Sequence, residues 1–203
     1  MTGEMPGGNV SRETSEQLDR FEALLRRWNP RINLVSKTSL TDLRTRHTAD
    51  SLQLYDLAPP GATWCDLGSG GGFPGLIVAI ASAARGDKRS FTLIESDQRK
   101  SAFLRTAVRE LGLACAVLSQ RIEIAQPQNA DVLSARALAD LPTLLFFAER
   151  HLAPGGTALF PKGATWKKEL EDARRQWSFE AEAITSKTEP TAAILKINGV
   201  TRV

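Results

Sequence analysis

The sequence predicts an α/β fold, a mostly parallel sheet of seven strands with helices on both faces, preceded by a short helical extension. From residue 63 to residue 176, short apolar segments alternate with longer helical ones, as is typical of parallel sheets. Only a turn separates the last two strand-like segments, which indicates an antiparallel hairpin. The 203 residues, 42% of them hydrophobic and 24% charged, suffice for one such domain and an appendage.

The N-terminal part is predicted to consist of helices that pack on the sheet domain. Residues 1–12 are expected to be disordered because they are rich in glycine and have few apolar anchors. Thr14-x-x-Gln17 matches a capping box, and Pro30 is expected to stop the helix that follows. The extension is assigned to residues 13–58, with apolar residues at helical spacing (Leu18, Phe21, Leu25, Trp28) and helical segments near Leu43–His47 and Asp50–Leu57.

The sheet domain is assigned to residues 59–203, since Pro59-Pro60-Gly61 marks a boundary. Its first helix begins where Pro74 opens an aliphatic segment, and Gly112 ends the second. The predicted strands are Thr63–Leu67, Phe91–Glu95, Cys115–Leu118, Asp131–Ser134, Thr157–Phe160, Phe179–Ile184 and Ala192–Ile197. The predicted helices are Pro74–Ala84, Gln98–Leu111, Leu141–His151 and Trp166–Gln176.

The glycine-rich turn Asp66–Gly75 indicates a nucleotide-like ligand, because glycines let a ligand lie against bare backbone. Its pattern, with Glu95 about 20 residues after the glycines, matches the dinucleotide fingerprint and leaves NAD open. Asp66 would repel a pyrophosphate, and Pro74 removes one N–H donor from the helix start. S-adenosylmethionine is cationic and has no phosphate, so these residues favour it. Glu95 suits the ribose hydroxyls of either ligand, and a turn without a ligand is the third alternative.

Composition and spacing argue against several other classes of protein. Cys65 and Cys115 both fall in apolar strand-like segments and are predicted to be buried thiols in a reducing cytosol. Two histidines and two cysteines, widely spaced, form no zinc pattern, so no metal site is expected. No apolar segment is long enough to span a bilayer, and residues 1–11 lack the features of a secretory signal. A cytoplasmic location is therefore expected.

Basic residues are concentrated in the helical extension, although the net charge of the chain is only +3. The segment from Arg20 to Arg46 has seven basic residues and two acidic ones, Glu22 and Asp42. Such a local excess predicts a surface that contacts phosphate, with a solvated helix face as the alternative. The seven are Arg20, Arg26, Arg27, Arg31, Lys37, Arg44 and Arg46.

Several further motifs occur in a characteristic order along the chain. They are Asn33-Leu34, Arg46-His47-x-x-Asp50-Ser51, the Asp66–Gly75 turn, Glu95-Ser96-x-x-Arg99-Lys100, Phe103-Leu104-Arg105, Arg136-Ala137 and Lys162-Gly163. From about Leu18 to Ile197 the chain resembles the bacterial small-subunit rRNA methyltransferases also called glucose-inhibited division protein B. The resemblance implies a class I, Rossmann-like methyltransferase fold that uses S-adenosylmethionine to methylate N7 of one guanine in 16S rRNA.

The resemblance also implies a set of cofactor-binding residues. Carried over one by one, they are Gly68, Phe73, Ile122, Glu123 and Arg136. The glycine-rich turn and the strand that follows it add Asp66, Gly70 and Glu95 as predicted cofactor-binding residues. The chain departs from the family where Phe73 and Ala135 replace a frequent leucine and a frequent serine. The first change alters shape beside the ligand and the second removes a hydroxyl, but neither removes a charge.

Methylation at N7 of guanine requires no general base, because N7 has a lone pair and no proton. No acid–base residue is therefore assigned, and alignment of the base with the methyl group is the expected source of catalysis. Arg136 and Lys162 are candidates for positioning the guanine or a phosphate, since both follow strands at the ligand-binding edge of the sheet. The alternative for both is a surface ion pair. His47 is a weaker candidate and is expected to form part of the wall beside the cofactor or the RNA.

Two other functions are alternatives for this sequence. An NAD-binding oxidoreductase would need a residue that handles the proton of hydride transfer, and the second half of the chain offers no convincing His or Tyr. A non-catalytic RNA-binding module would be expected to lose Asp66, Gly68 or Glu95, and all three are present. The expected partner is 16S rRNA or the small ribosomal subunit, with the enzyme acting as a monomer away from membranes.

Overall fold

The computed structural model describes residues 11–36, 40–61 and 63–203. A seven-stranded sheet with the order β3-β2-β1-β4-β5-β7-β6 forms its centre. The strands are β1 (Thr63–Leu67), β2 (Ser90–Ile94), β3 (Cys115–Leu118), β4 (Ala130–Ala135), β5 (Leu152–Lys162), β6 (Trp177–Thr185) and β7 (Ala193–Arg202). β1 to β5 are parallel, whereas β7 is antiparallel to both β5 and β6. The predicted parallel sheet with a terminal hairpin is confirmed.

Helices pack on the two faces of this sheet. They are α1 (Arg12–Ile32), α2 (Ala49–Leu57), α3 (Gly75–Ala84), α4 (Gln98–Leu111), α5 (Leu141–His151) and α6 (Trp166–Ala173). Leu43–Thr48, predicted as part of a separate α-helix, is a π-helical turn that runs directly into α2. None of the described helices is long and apolar enough to cross a membrane.

Helix α1 differs from its prediction at both ends. The N-cap is Ser11, whose hydroxyl accepts from the N–H of Thr14, so the helix begins before the predicted capping box. Residues 1–10 of the segment predicted to be disordered lie outside the described residues. Pro30 does not stop the helix, which continues to Ile32 and ends at Asn33 with a φ of 51°. The Asn29 carbonyl accepts from Asn33 N–H at 2.9 Å, and its side chain exchanges two hydrogen bonds with the backbone of Val35.

Strand β5 begins earlier than predicted. The predicted strand starts at Thr157, but the chain enters the sheet directly after α5, with Leu152 opposite Ala130. The register then shifts, and Gly155 takes a φ of 77°. The glycines thus form an irregularity within the strand instead of a loop before it.

The helical extension shares one hydrophobic core with α3 and α4. Phe21 of α1 packs edge-on against Phe73, with ring centroids 5.4 Å apart, and Trp28 packs against Phe103 at 5.9 Å. A second core lies under α5 and α6. The predicted contact between the N-terminal helix and the sheet domain is confirmed.

The two cysteine thiols are both free. Cys65 is buried in β1 and Cys115 is half-buried in β3. Burial raises the pKa of the Cys115 thiol to about 12, so this thiol stays protonated at neutral pH. The prediction of buried thiols is confirmed for Cys65, whereas Cys115 is only half-buried.

Candidate active site

The turn between β1 and α3 has a backbone that only glycine adopts without strain. Gly68, Gly70 and Gly72 have φ angles of 62°, 50° and 90°, in the left-handed region. A Cβ atom on Gly68 would lie 2.7 Å from Cδ1 of Leu138. The absence of that atom lets the turn approach the loop that follows β4.

Asp66 supports this turn from behind. Its carboxylate is fully buried and accepts from Ser134 Oγ at 2.7 Å and from Gly75 N–H at 3.3 Å. Burial raises the pKa of Asp66 to about 6. A Cβ atom on Gly75 would lie 2.6 Å from the carboxylate, so glycine at this position makes room for the acid. Asp66 lines neither of the two cavities at this edge of the sheet, and its direct contact with a ligand stays a prediction.

Glu95 follows β2 and faces the glycine turn. Its side chain is 7% exposed, and its two carboxylate oxygens accept from Gly70 N–H and Asp97 N–H, each at 2.8 Å. A carboxylate oxygen has more than one lone pair, so both oxygens keep an acceptor position for a further donor. Two fixed acceptors side by side are suited to a pair of vicinal hydroxyls, such as those of a ribose.

The first cavity lies in front of this turn and has a volume of about 460 Å³. Such a volume falls in the range of small-molecule sites. Five of the predicted cofactor residues line it, namely Gly68, Gly70, Glu95, Ile122 and Glu123. The predicted residues Phe73 and Arg136 lie outside its lining.

The second cavity, of about 500 Å³, adjoins the first and shares Ala137 with it. Ala137 is exposed and has a φ of 52°, which turns the chain away from β4 between the two cavities. The lining of the second cavity includes all three candidates for positioning the substrate, His47, Arg136 and Lys162. The structure thus separates most of the predicted residues into two neighbouring groups that meet at Ala137, whereas Asp66 and Phe73 line neither cavity.

Arg136 and His47 contact each other in the wall of the second cavity. The Arg136 guanidinium donates to Nδ1 of His47 and lies 5.1 Å from the ring centroid of Phe73. Burial, together with Arg136 and Arg46, lowers the pKa of His47 to about 4. His47 is therefore neutral, and because arginine only donates, its ring hydrogen is on Nε2. The predicted wall role of His47 fits this position, which is on the π-helical turn.

Lys162, at the end of β5, is largely engaged by protein groups. Its ammonium lies 2.6 Å from a carboxylate oxygen of Glu169 and donates to the carbonyl of Ala139 at 2.9 Å. Lys162 thus forms an ion pair, as in the alternative, but its side chain is only 9% exposed and the pair is not on the surface. The contacts of Lys162 also connect the loop after Ala137 to α6, because Glu169 of α6 accepts from the N–H of Leu141 as well.

The basic segment of the extension is mostly engaged in contacts within the protein. Arg26 and Arg44 form ion pairs with Glu22, and Arg27 pairs with Glu110. Among the described members only Arg46 lines the second cavity, and Lys37 lies outside the described residues. A phosphate-contacting surface along the whole segment stays a prediction.

Sequence reasoning missed several lining residues of the first cavity. Leu138 and Ala139 follow β4, and Thr143 and Phe147 lie on α5. The available signal was positional, since ligands bind at the carboxyl ends of parallel strands and the segment after β4 meets that condition. No residue type in this segment marks it as a binding site.

Comparison with known proteins identifies the family. The family model described as rRNA small subunit methyltransferase G matches residues 14–194. A curated relative of that name from Ruegeria pomeroyi is 65% identical over 195 residues, which cover 96% of each chain. Another from Paracoccus denitrificans is 49% identical over 95% of this chain and 98% of its own.

Solved structures agree on the fold. A TehB-like SAM-dependent methyltransferase from Corynebacterium glutamicum has a TM-score of 0.58 at 16% identity, covering 92% of this chain and all of its own. The structure of TYW2 from M. jannaschii in complex with AdoMet has a TM-score of 0.55 at 10% identity and covers 77% of this chain and 76% of its own. These similarities show the Rossmann-like methyltransferase fold. Together with the family model and the curated relatives, they establish that the chain belongs to the rRNA small subunit methyltransferase G family.

Proposed function

We propose that this protein transfers the methyl group of S-adenosylmethionine to N7 of a guanine in 16S rRNA. The observation that carries the proposal is the pair of cavities that meet at Ala137. One has the acceptors for a nucleoside, and the other has the donor Arg136 in its wall at the same edge of the sheet. A methyl donor in the first and a base in the second would meet where the two cavities join.

The residues around the first cavity fit S-adenosylmethionine better than a dinucleotide. A pyrophosphate needs free backbone N–H donors at the glycine turn. Here the N–H of Gly70 is taken by Glu95, and the N–H of Gly75 is taken by Asp66. These two acids favour a ligand without phosphate, and Glu95 would hold its ribose hydroxyls. When bound, S-adenosylmethionine supplies an electrophilic methyl group on a sulfonium.

Methylation at N7 requires that the protein align the base with the methyl group, and it requires no proton transfer. The target base must leave its stack and enter a pocket. Arg136 would donate to O6 of the guanine, next to N7, and so hold N7 toward Ala137. Alignment of this kind supplies on the order of 7–11 kcal/mol of a barrier. His47 acts on Arg136, since its neutral ring accepts one guanidinium N–H and fixes the direction of the others.

The oligomeric state, the partner and the cellular location can be proposed from the same residues. One chain lines both cavities, so a monomer acting on the small subunit or its 16S rRNA is the proposed working unit. The proposed location is the cytoplasm, where ribosomal RNA lies and where unpaired thiols such as Cys65 persist.

The pH dependence of methyl transfer tests this mechanism. We expect kcat/KM to be flat between about pH 7 and about pH 9, because N7 has no proton to remove. His47 stays neutral throughout, since its pKa is lowered to about 4. Below about pH 6 activity should fall as Asp66 takes up a proton and becomes a weaker acceptor for the N–H of Gly75.

The measurement is the transfer of labelled methyl groups to unmodified small subunits or 16S rRNA across this pH range, in the wild type and in His47→Asn. An ionisation between about pH 6.5 and about pH 8 that is present in the wild type and absent from the variant would show a general base and contradict the mechanism. Binding of NAD in place of S-adenosylmethionine, measured by calorimetry, would favour the oxidoreductase alternative.

A further inference from the structure

The second cavity contains a carboxylate that the transfer of a methyl group to N7 does not require. Asp50 lies in the first turn of α2, half-buried in the cavity wall. Its Oδ1 accepts from the hydroxyls of Ser186 at 3.0 Å and Thr188 at 2.6 Å. Among the described residues no hydrogen bond reaches Oδ2. One oxygen is thus held by the β6–β7 turn, and the other remains available to a ligand.

Asp50 and Arg136 are brought to the second cavity by different parts of the fold. Arg136 follows β4, whereas Ser186 and Thr188 belong to the turn that leads into β7. In the sheet order β4-β5-β7 these strands are two spacings apart, which is about 10 Å. The side chains of Asp50 and Arg136 both line the second cavity, so a base that enters this cavity can contact both.

The hydrogen-bonding groups of Arg136 and Asp50 complement guanine and do not complement adenine. Guanine has an acceptor, O6, beside two donors, N1–H and the N2 amino group. Adenine reverses the first two, with an amino donor at C6 beside the acceptor N1. Arg136 can only donate, and a carboxylate such as that of Asp50 can only accept. A base held by both must therefore have the guanine pattern.

We propose that Asp50 selects guanine by accepting hydrogen bonds from N1–H and the N2 amino group through Oδ2. The assignment rests on the proposed function, because it assumes that the target base enters the second cavity. Ser186 and Thr188 fix the carboxylate before the base arrives, so little ordering remains to be done on binding. Enzymes that act on extruded bases recognise them through this same edge.

The test compares guanosine with inosine at the target position of ligated 16S rRNA assembled into small subunits. Inosine keeps N7, O6 and N1–H and lacks only the N2 amino group. The wild type should prefer guanosine about 10- to 100-fold in kcat/KM, the range expected for a hydrogen bond to a charged group. Asp50→Asn should lower kcat/KM on guanosine by a similar factor and bring the preference close to one. Asp50→Ala, which removes the acceptor without adding a donor, should also abolish the preference.

Asp56→Asn is the matched control. It makes the same chemical change on the same helix, at an exposed residue that pairs with Arg85 outside both cavities. It should keep the wild-type preference, and all variants should bind S-adenosylmethionine with unchanged affinity in calorimetry. Asp50 variants that lose activity equally on both RNAs, or that keep the wild-type preference, would overturn the assignment. A wild type that methylates neither RNA would remove the proposed function, and the assignment of Asp50 would fall with it.

Discussion

Replacing Arg136 with lysine should lower kcat/KM for methyl transfer about 100- to 1,000-fold, the cost of removing one preorganised donor from an active site. The guanidinium lies over Phe73 and donates to His47, and lysine has neither the planar group nor the fixed fork. Affinity for S-adenosylmethionine should stay unchanged, because Arg136 lines only the second cavity. Single-turnover kinetics and calorimetry on the same preparations separate the two effects.

Arg175→Lys is the control for this change, since Arg175 is 78% exposed and pairs only loosely with Asp172 at 3.7 Å. It should behave as the wild type in both measurements. Loss of cofactor affinity in Arg136→Lys with methyl transfer intact at saturating cofactor would place Arg136 in the cofactor site, as the family resemblance implies. The division of the site into two cavities would then be wrong.

Replacing Glu95 with alanine should weaken S-adenosylmethionine binding about 10- to 100-fold, since hydrogen bonds to charged groups contribute about 1.5–3 kcal/mol each. The change also removes the acceptor for Gly70 N–H, so part of the loss comes from a less ordered glycine turn. Calorimetric titration measures the affinity. Glu110→Ala, at an exposed residue that pairs with Arg27, is the control and should bind normally. An unchanged affinity in Glu95→Ala would refute the location of the ribose.

The sequence predicts the backbone framework of the site well because that framework depends on local signals. Each of its parts can be recognised within a few residues of sequence. These parts are the glycines that need positive φ, an acid at the end of the next strand and an aliphatic helix start. Glu95 is therefore found in the predicted place, facing Gly70. Helix and strand identities follow from periodicity in the same way.

The partners of charged side chains are harder to predict, because distant segments supply them. Lys162 has the type and position of a substrate-binding residue, yet Glu169 and the carbonyl of Ala139 engage it. Nothing near Asp66 in the sequence shows that Ser134 will donate a hydrogen bond to it, and nothing near Asp50 indicates the hydroxyls of the β6–β7 turn. Such pairings arise only when the sheet order brings these elements together.

The identity of the modified atom tests the central claim most directly. Purified enzyme and S-adenosylmethionine are incubated with small subunits or 16S rRNA that lack the modification, with and without a chelator, and the product is mapped by cleavage at N7-methylguanine and by mass spectrometry. We expect a single N7-methylguanine in 16S rRNA, formed at the same rate in the presence of the chelator. Methylation at a pyrimidine carbon or an exocyclic amine, or loss of activity on chelation, would contradict a mechanism that relies on alignment of an unprotonated nitrogen alone.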